Sequence, residues 1–176
     1  MRLAAQLRRF RAAEGGSAAV EMALIGVMFV GALINAVEIG RYGVSQMQVN
    51  NAAQAGVAAA YSACDAEHLP ATSNCTGLDA AVETAVTSTS LGAKITPGEK
   101  YTEGWYCINS AKQLQFVASA SSAKPTDCTA ALSPGLTPGL YLAVQAKYDY
   151  RPIFSGLTLA GTFATPITRT AWARMQ

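Results

Sequence analysis

The chain has 176 residues, 51% of them hydrophobic and 14% charged, with a net charge of +2. That length holds one modest domain beside a membrane segment, and the composition is apolar for a soluble protein. So small a net charge, with no basic patch interleaved with aromatics, argues against nucleic acid as a partner.

The chain opens on Arg2, Arg8, Arg9 and Arg11, opposed by the single acid Glu14. An apolar run follows, in which Asn35 is the only strongly polar side chain between Met22 and Val37. Counted from Ser17 the run reaches about 21 residues, or roughly 30 Å as a helix, which matches the hydrocarbon thickness of a bilayer. The far flank has Glu38 offset by Arg41, so the positive-inside rule keeps the N-terminus cytoplasmic and translocates everything after residue 38 in a single pass. Tyr42 falls in the interfacial aromatic zone, and Arg41 holds the helix at headgroup depth beside Glu38. A signal peptide cut after Ala36, leaving a chain that begins near Val37, competes with this reading. Against it stand the length of the run and the carboxylate of Glu21 inside it.

Residues 38–63 contain no proline and are rich in Ala, Gln and Met, so the helix is expected to continue to about Tyr61, with Gly40 and Gly43 weakening it. Ala52, Gly56 and Ala60 repeat every four residues along one face, with Val49, Ala53 and Val57 beside them. Small residues at that spacing admit another backbone closely, whether of a second chain or of this chain's own C-terminal part.

Cys64, Cys75, Cys107 and Cys128 are an even set on the side of a membrane where disulfides persist. Of three connectivities, Cys64 with Cys75 and Cys107 with Cys128 is preferred, because each closes a short local loop. A zinc site fits poorly, since no C-x-x-C pair is present and His68 is the only histidine. Between the first two cysteines lies a loop punctuated by Pro70. Leu78, Ala81, Val82, Ala85 and Val86 then share a side, with Asp79 early and Gly92 just past the end, which reads as a short second helix.

Beyond it the period changes to two. Leu140, Leu142, Val144, Ala146, Tyr148 and Tyr150 occupy one face of a strand, with Gln145, Lys147 and Asp149 on the other. WYCIN and LQFVAS are shorter strands, and TPITRTAWARM is placed to pair back onto the long one. The stretch around Cys128 is a turn-rich loop. The expected fold is α+β: a long N-terminal transmembrane helix continuing into a small, mainly antiparallel sheet domain with a short helix.

Catalytic constellations are scarce. The chain has no G-x-S-x-G, no phosphate-cradling glycine loop and no H-E-x-x-H. His68 reads as solvated, and Asp65, Glu67, Glu83, Glu99, Glu103, Asp127 and Asp149 are dispersed rather than paired for acid/base work. No enzyme activity, cofactor or metal is expected.

Gly16, Ser17, Ala18, Ala19, Val20 and Glu21 form G-x-x-x-x-E between the arginines and the apolar run. Here the sequence resembles the type IV prepilins, in which a dedicated membrane peptidase cuts after the glycine and leaves the helix attached. The resemblance implies a processing site at Gly16 and Ser17. It also implies an assembly role for Glu21, pairing with the N-terminal ammonium of a neighbouring subunit and setting axial register. Two opposite charges held in hydrocarbon cost less together than apart.

A narrower resemblance is to the TadE-like family of tight-adherence (Flp-type) pilus proteins, which are minor pilins or pseudopilins. Glu21, Glu38, Gly40, Arg41, Asn51, Ala52, Arg169, Ala171, Arg174 and Gln176 stand where that family's pattern has them, while Met22 and Ile39 replace its usual aromatics. The resemblance divides the chain into a basic leader (1–16), a transmembrane helix (17–37), its extension (38–63) and a disulfide-tied domain (64–176). It implies a bacterial inner-membrane protein with its C-terminal domain in the periplasm, or at the cell surface within a pilus. The implied partners are a prepilin peptidase, other pilins and minor pilins, the inner-membrane assembly platform and membrane lipid. The alternative is a single-pass, membrane-anchored adaptor or binding domain that never enters a filament.

Overall fold

A computed structural model describes residues 15–98 and 101–176; the leader's arginines and Glu14, and Glu99, lie outside the described residues. The fold is α+β, a long N-terminal apolar helix followed by short helices and a five-stranded antiparallel sheet. Helix α1, Gly15–Ala63, runs unbroken through both the apolar run and its alanine-rich continuation, ending two residues beyond Tyr61. Two short helices follow, α2 (Ala71–Asn74) and α3 (Leu78–Thr87). The strands are β1 (Ile95–Pro97), β2 (Thr102–Ile108), β3 (Leu114–Ser119), β4 (Gly139–Tyr148) and β5 (Ile167–Arg174).

Two compact units result, each holding part of α1. The first takes the described residues up to Tyr42 together with Arg151–Phe163. The second takes Gly43–Tyr150 and Ala164–Gln176. The segment Arg151–Phe163, expected within the C-terminal domain, therefore groups with the first part of the helix.

In the second unit β4 is the hub. One edge pairs with β5, from Tyr141 opposite Arg174 to Tyr148 opposite Ile167. The other edge is shared by β2, against residues 139–143, and β1, against residues 146–148. Leu140, Leu142, Val144 and Ala146 are buried as the period of two predicts, with Tyr141 and Gln145 half-buried and Lys147 exposed, but Ala143 on the opposite face is buried as well. Each leucine or valine among them contributes about 1.5–3 kcal/mol on burial, and an alanine methyl about 0.8 kcal/mol. Leu78, Val82 and Val86 form the buried stripe of α3.

Helix α3 stops at Thr87, short of the expected end near Gly92. Its hydroxyl-bearing tail explains why: Thr87 Oγ1 donates to the Glu83 carbonyl (2.7 Å), Ser88 Oγ to Ala85 (2.8 Å) and Thr89 Oγ1 to Val86 (2.9 Å). Those bonds satisfy terminal carbonyls without another helical turn. Gly92 then takes a positive φ of 55° in a 3-10 turn.

Candidate assembly and membrane-flank site

By length and composition α1 qualifies as a membrane span, and only 6% of its most apolar stretch is buried by the rest of the chain. Val20, Met22, Leu24, Ile25, Val27, Met28, Phe29, Val30, Leu33 and Val37 are all exposed. The helix is thus a candidate single-pass anchor. Gly16 and Glu21 lie on its exposed surface. Helical geometry puts position 21 on the same face as position 17, four residues earlier.

Seventeen residues further along, about 25 Å by helical rise, the environment changes. Asn35, Glu38 and Tyr42, spaced i, i+3 and i+7, share one face of α1. Arg151–Phe163 packs there without a strand, so its backbone amides need acceptors from elsewhere. An α-helix uses its own carbonyls internally, leaving side chains to supply them.

Glu38 Oε1 accepts from the amides of Ile153 (2.7 Å) and Phe154 (3.2 Å). Asn35 Oδ1 accepts from the Leu159 amide (2.8 Å) and from Thr158 Oγ1 (3.4 Å), while its Nδ2 donates back to the Gly31 carbonyl (2.9 Å). Thr158 in turn caps the 3-10 turn Leu159–Thr162, its hydroxyl accepting from the Ala160 amide at 3.1 Å.

Glu38 is completely buried. A buried carboxylate is costly unless paired and hydrogen-bonded. Beyond the two amides, Arg41 Nη1 lies 3.2 Å from its Oε2, and the Arg41 side chain remains 40% exposed. The carboxylate thus spends its charge on the chain's own backbone and one guanidinium. Tyr42 closes this end by packing its ring on Phe163, with centroids 4.8 Å apart. Of the residues expected at a membrane flank, Glu38 and Arg41 pair with each other, Tyr42 meets Phe163 of the same loop, and Asn35 holds that loop too. Asn35 and the loop it holds were not anticipated as part of this set. The signal available for them is one amide side chain at the end of an apolar run, matched to a stretch after Arg151 without an ionisable side chain.

In the second unit, Ala52, Gly56 and Ala60 are buried against the chain's own core. A Cβ at Gly56 would lie 2.8 Å from Val86 Cγ2, 2.9 Å from Val144 Cγ1 and 3.4 Å from Val82 Cγ1, so α1, α3 and β4 close around a position that admits no side chain. Cys64 is joined to Cys75 and Cys107 to Cys128, each pair with Cα atoms 5.7 Å apart. Two of the dispersed acids also have defined tasks. Glu103 accepts from the Ala71 amide (2.8 Å), the Thr72 amide (2.9 Å) and Thr72 Oγ1 (2.7 Å), capping α2. Asp65 lies 2.5 Å from His68 Nδ1, and the hydrogen bond and charge of His68 hold its carboxyl below the usual range.

No curated protein and no solved structure matches the chain. Residues 16–58, from the glycine before the apolar run past Gly56 of the buried stripe, match the family described as TadE-like protein.

Proposed function

We propose that the chain is a minor pilin or pseudopilin of a Flp/Tad-type pilus, cut by a prepilin peptidase after Gly16 and taking part in pilus assembly for surface adherence. The observation that carries this reading is the family match, which begins at Gly16 itself and runs along the helix. The exposed apolar surface of α1 supports it. Such a surface suits lipid while the protein waits in the inner membrane, and suits the helices of other pilins once it leaves.

Cleavage makes Ser17 the new N-terminus and puts Glu21 one turn away on the same face. The ammonium of a neighbouring subunit then neutralises Glu21, so burial of one charge in the bundle requires the other. The arginines of the leader keep that end cytoplasmic, and the disulfide-tied domain faces the periplasm. The assembly platform and companion pilins are the partners this sequence of events needs.

A second reading, the membrane-anchored adaptor, is favoured by one observation: Ala52, Gly56 and Ala60 are used within the chain rather than offered to another. Intact-mass and N-terminal analysis of membrane-extracted protein, with and without the peptidase, separates the two. A chain beginning at Ser17 only when the peptidase is present is the expected result. An uncut chain in both refutes processing and leaves the adaptor, and a start near Val37 means a secreted domain.

A further inference from the structure

We infer that the loop 153–159 is a second membrane contact, a short irregular segment lying in the acyl–headgroup boundary of the leaflet where α1 leaves the bilayer. This rests on the reading of α1 as a membrane span. The loop is pinned to that helix at two levels, the Ile153 amide on Glu38 and the Leu159 amide on Asn35. Three residues of helix separate these anchors, so Leu159 is held about 4.5 Å nearer the bilayer centre than Ile153. With a span of residues 17–37, the Asn35 level falls within the hydrocarbon edge and the Glu38 level just past it.

What the loop shows to its surroundings at those levels is apolar. Leu157 is 68% exposed, Leu159 66%, Ile153 60% and Phe154 39%. Residues 152–163 contain no ionisable side chain. Leu33, Val37 and Ile39 of the helix, at the same levels, are also exposed, so the loop extends a surface that lipid already covers. Arg41, partly exposed, and Arg151, exposed, stand at the rim, where phosphate headgroups favour a cation.

Irregular backbone is tolerated at such depth only where its polar groups find partners. Asn35 and Glu38 supply them to the amides of Ile153, Phe154 and Leu159. That gives a reason for an amide and a carboxylate to stand at the end of an otherwise apolar run: they replace water as acceptors, so the loop's backbone can lie in the interface without an unsatisfied-amide penalty. The helix is thereby held by two elements at one level, which limits its tilt and rotation at the membrane surface.

The test uses the full chain in phosphatidylcholine/phosphatidylglycerol vesicles. A single cysteine is introduced as Val30→Cys, Leu157→Cys or Leu159→Cys and carries a nitroxide, the described cysteines all being paired. Each of the three sites is exposed, so the label displaces no packed side chain. Relaxation by oxygen, which concentrates in hydrocarbon, is compared with relaxation by a water-soluble nickel chelate. Oxygen is expected to dominate at all three, with the label at position 30 deepest and 159 deeper than 157. Adding Asn35→Ala should move the 157 and 159 labels toward the nickel reagent. Nickel dominance at 157 and 159 while position 30 reads oxygen overturns the inference and leaves the membrane span intact. Nickel dominance at position 30 overturns both, and low access to either reagent at 157 and 159 means that protein covers the loop, which also overturns it.

Discussion

Replacing Glu38 with alanine removes the acceptor for the amides of Ile153 and Phe154, at 2.7 and 3.2 Å, and the partner of Arg41 at 3.2 Å. A hydrogen bond to a charged acceptor contributes about 1.5–3 kcal/mol net, and because the freed amides can reach water each loss falls toward the lower end of that range. Arg41 is 40% exposed and can be rehydrated, so its loss adds little. The two amides together make the docked loop about 3 kcal/mol less favourable. The loop then opens to water rather than leaving them unsatisfied. Hydrogen exchange at Ile153 and Phe154 should accelerate roughly a hundredfold, measured on the full chain in lipid nanodiscs. Glu38→Gln keeps an acceptor oxygen without its charge and should lose only about tenfold. Peptides from β4 belong to the other compact unit and should exchange as before. Unchanged exchange at 153 and 154 in Glu38→Ala, or equal acceleration in β4, would refute the latch.

Other consequences are local to the second unit. Gly56→Ala pushes a methyl to within 2.8 and 2.9 Å of two valine methyls, and overpacking of this kind costs about 1–3 kcal/mol. Denaturant unfolding in detergent should show a lower midpoint, whereas an unchanged midpoint would mean that α1 and α3 separate freely. Glu103→Ala strips the cap from α2 and should speed exchange at Ala71 and Thr72 by at least tenfold, with Glu103→Gln intermediate. The Asp65 carboxyl, lowered by His68, should titrate by carbon NMR below an ordinary aspartate, and His68→Ala should return it upward. Because its folded value is the depressed one, the pair's contribution is present above the unfolded value and fades as pH falls through the folded one. An ordinary Asp65 titration in the wild type would contradict the pairing.

The parts that could be read in advance are those where one periodicity dominates. The apolar face of residues 140–146 is the buried one because a sheet packs one face on the core, although Ala143 opposite is also covered, and the tail from Ile167 pairs with that strand along its length. Strand β1 was not anticipated, since three residues including Pro97 carry no period and become a strand only by meeting β4. Helix α2 is hidden for a similar reason: four residues after Pro70 hold their helical turn through Glu103, thirty-one positions beyond Thr72. Small residues at 52, 56 and 60 announced a close approach without naming the partner, because a stripe of that kind fits a neighbour's backbone or two valines equally well. At the membrane flank, Glu38 and Arg41 were legible as charges at a boundary. The carboxylate's main partners, however, are backbone amides 115 and 116 residues away, and amides have no letter in a sequence.

Glu21 and Glu38 pose the same physical problem at the two ends of one apolar helix. A carboxylate in hydrocarbon needs donors or an opposite charge. Glu38 has them within its own chain, from Ile153, Phe154 and Arg41, and is fully buried by them. Glu21 keeps its side chain on the exposed surface of the helix. Under the proposed function its opposite charge comes from the next subunit, so the two residues should separate cleanly under mutation. Glu21→Gln is expected to leave the exchange pattern of 151–163 and the unfolding midpoint unchanged while abolishing recovery of the chain with sheared pili. Glu38→Gln should loosen the loop and leave processing at Ser17 intact. Normal pilus incorporation of the Glu21→Gln chain would remove the register role and, with it, the reason for a charge at that depth.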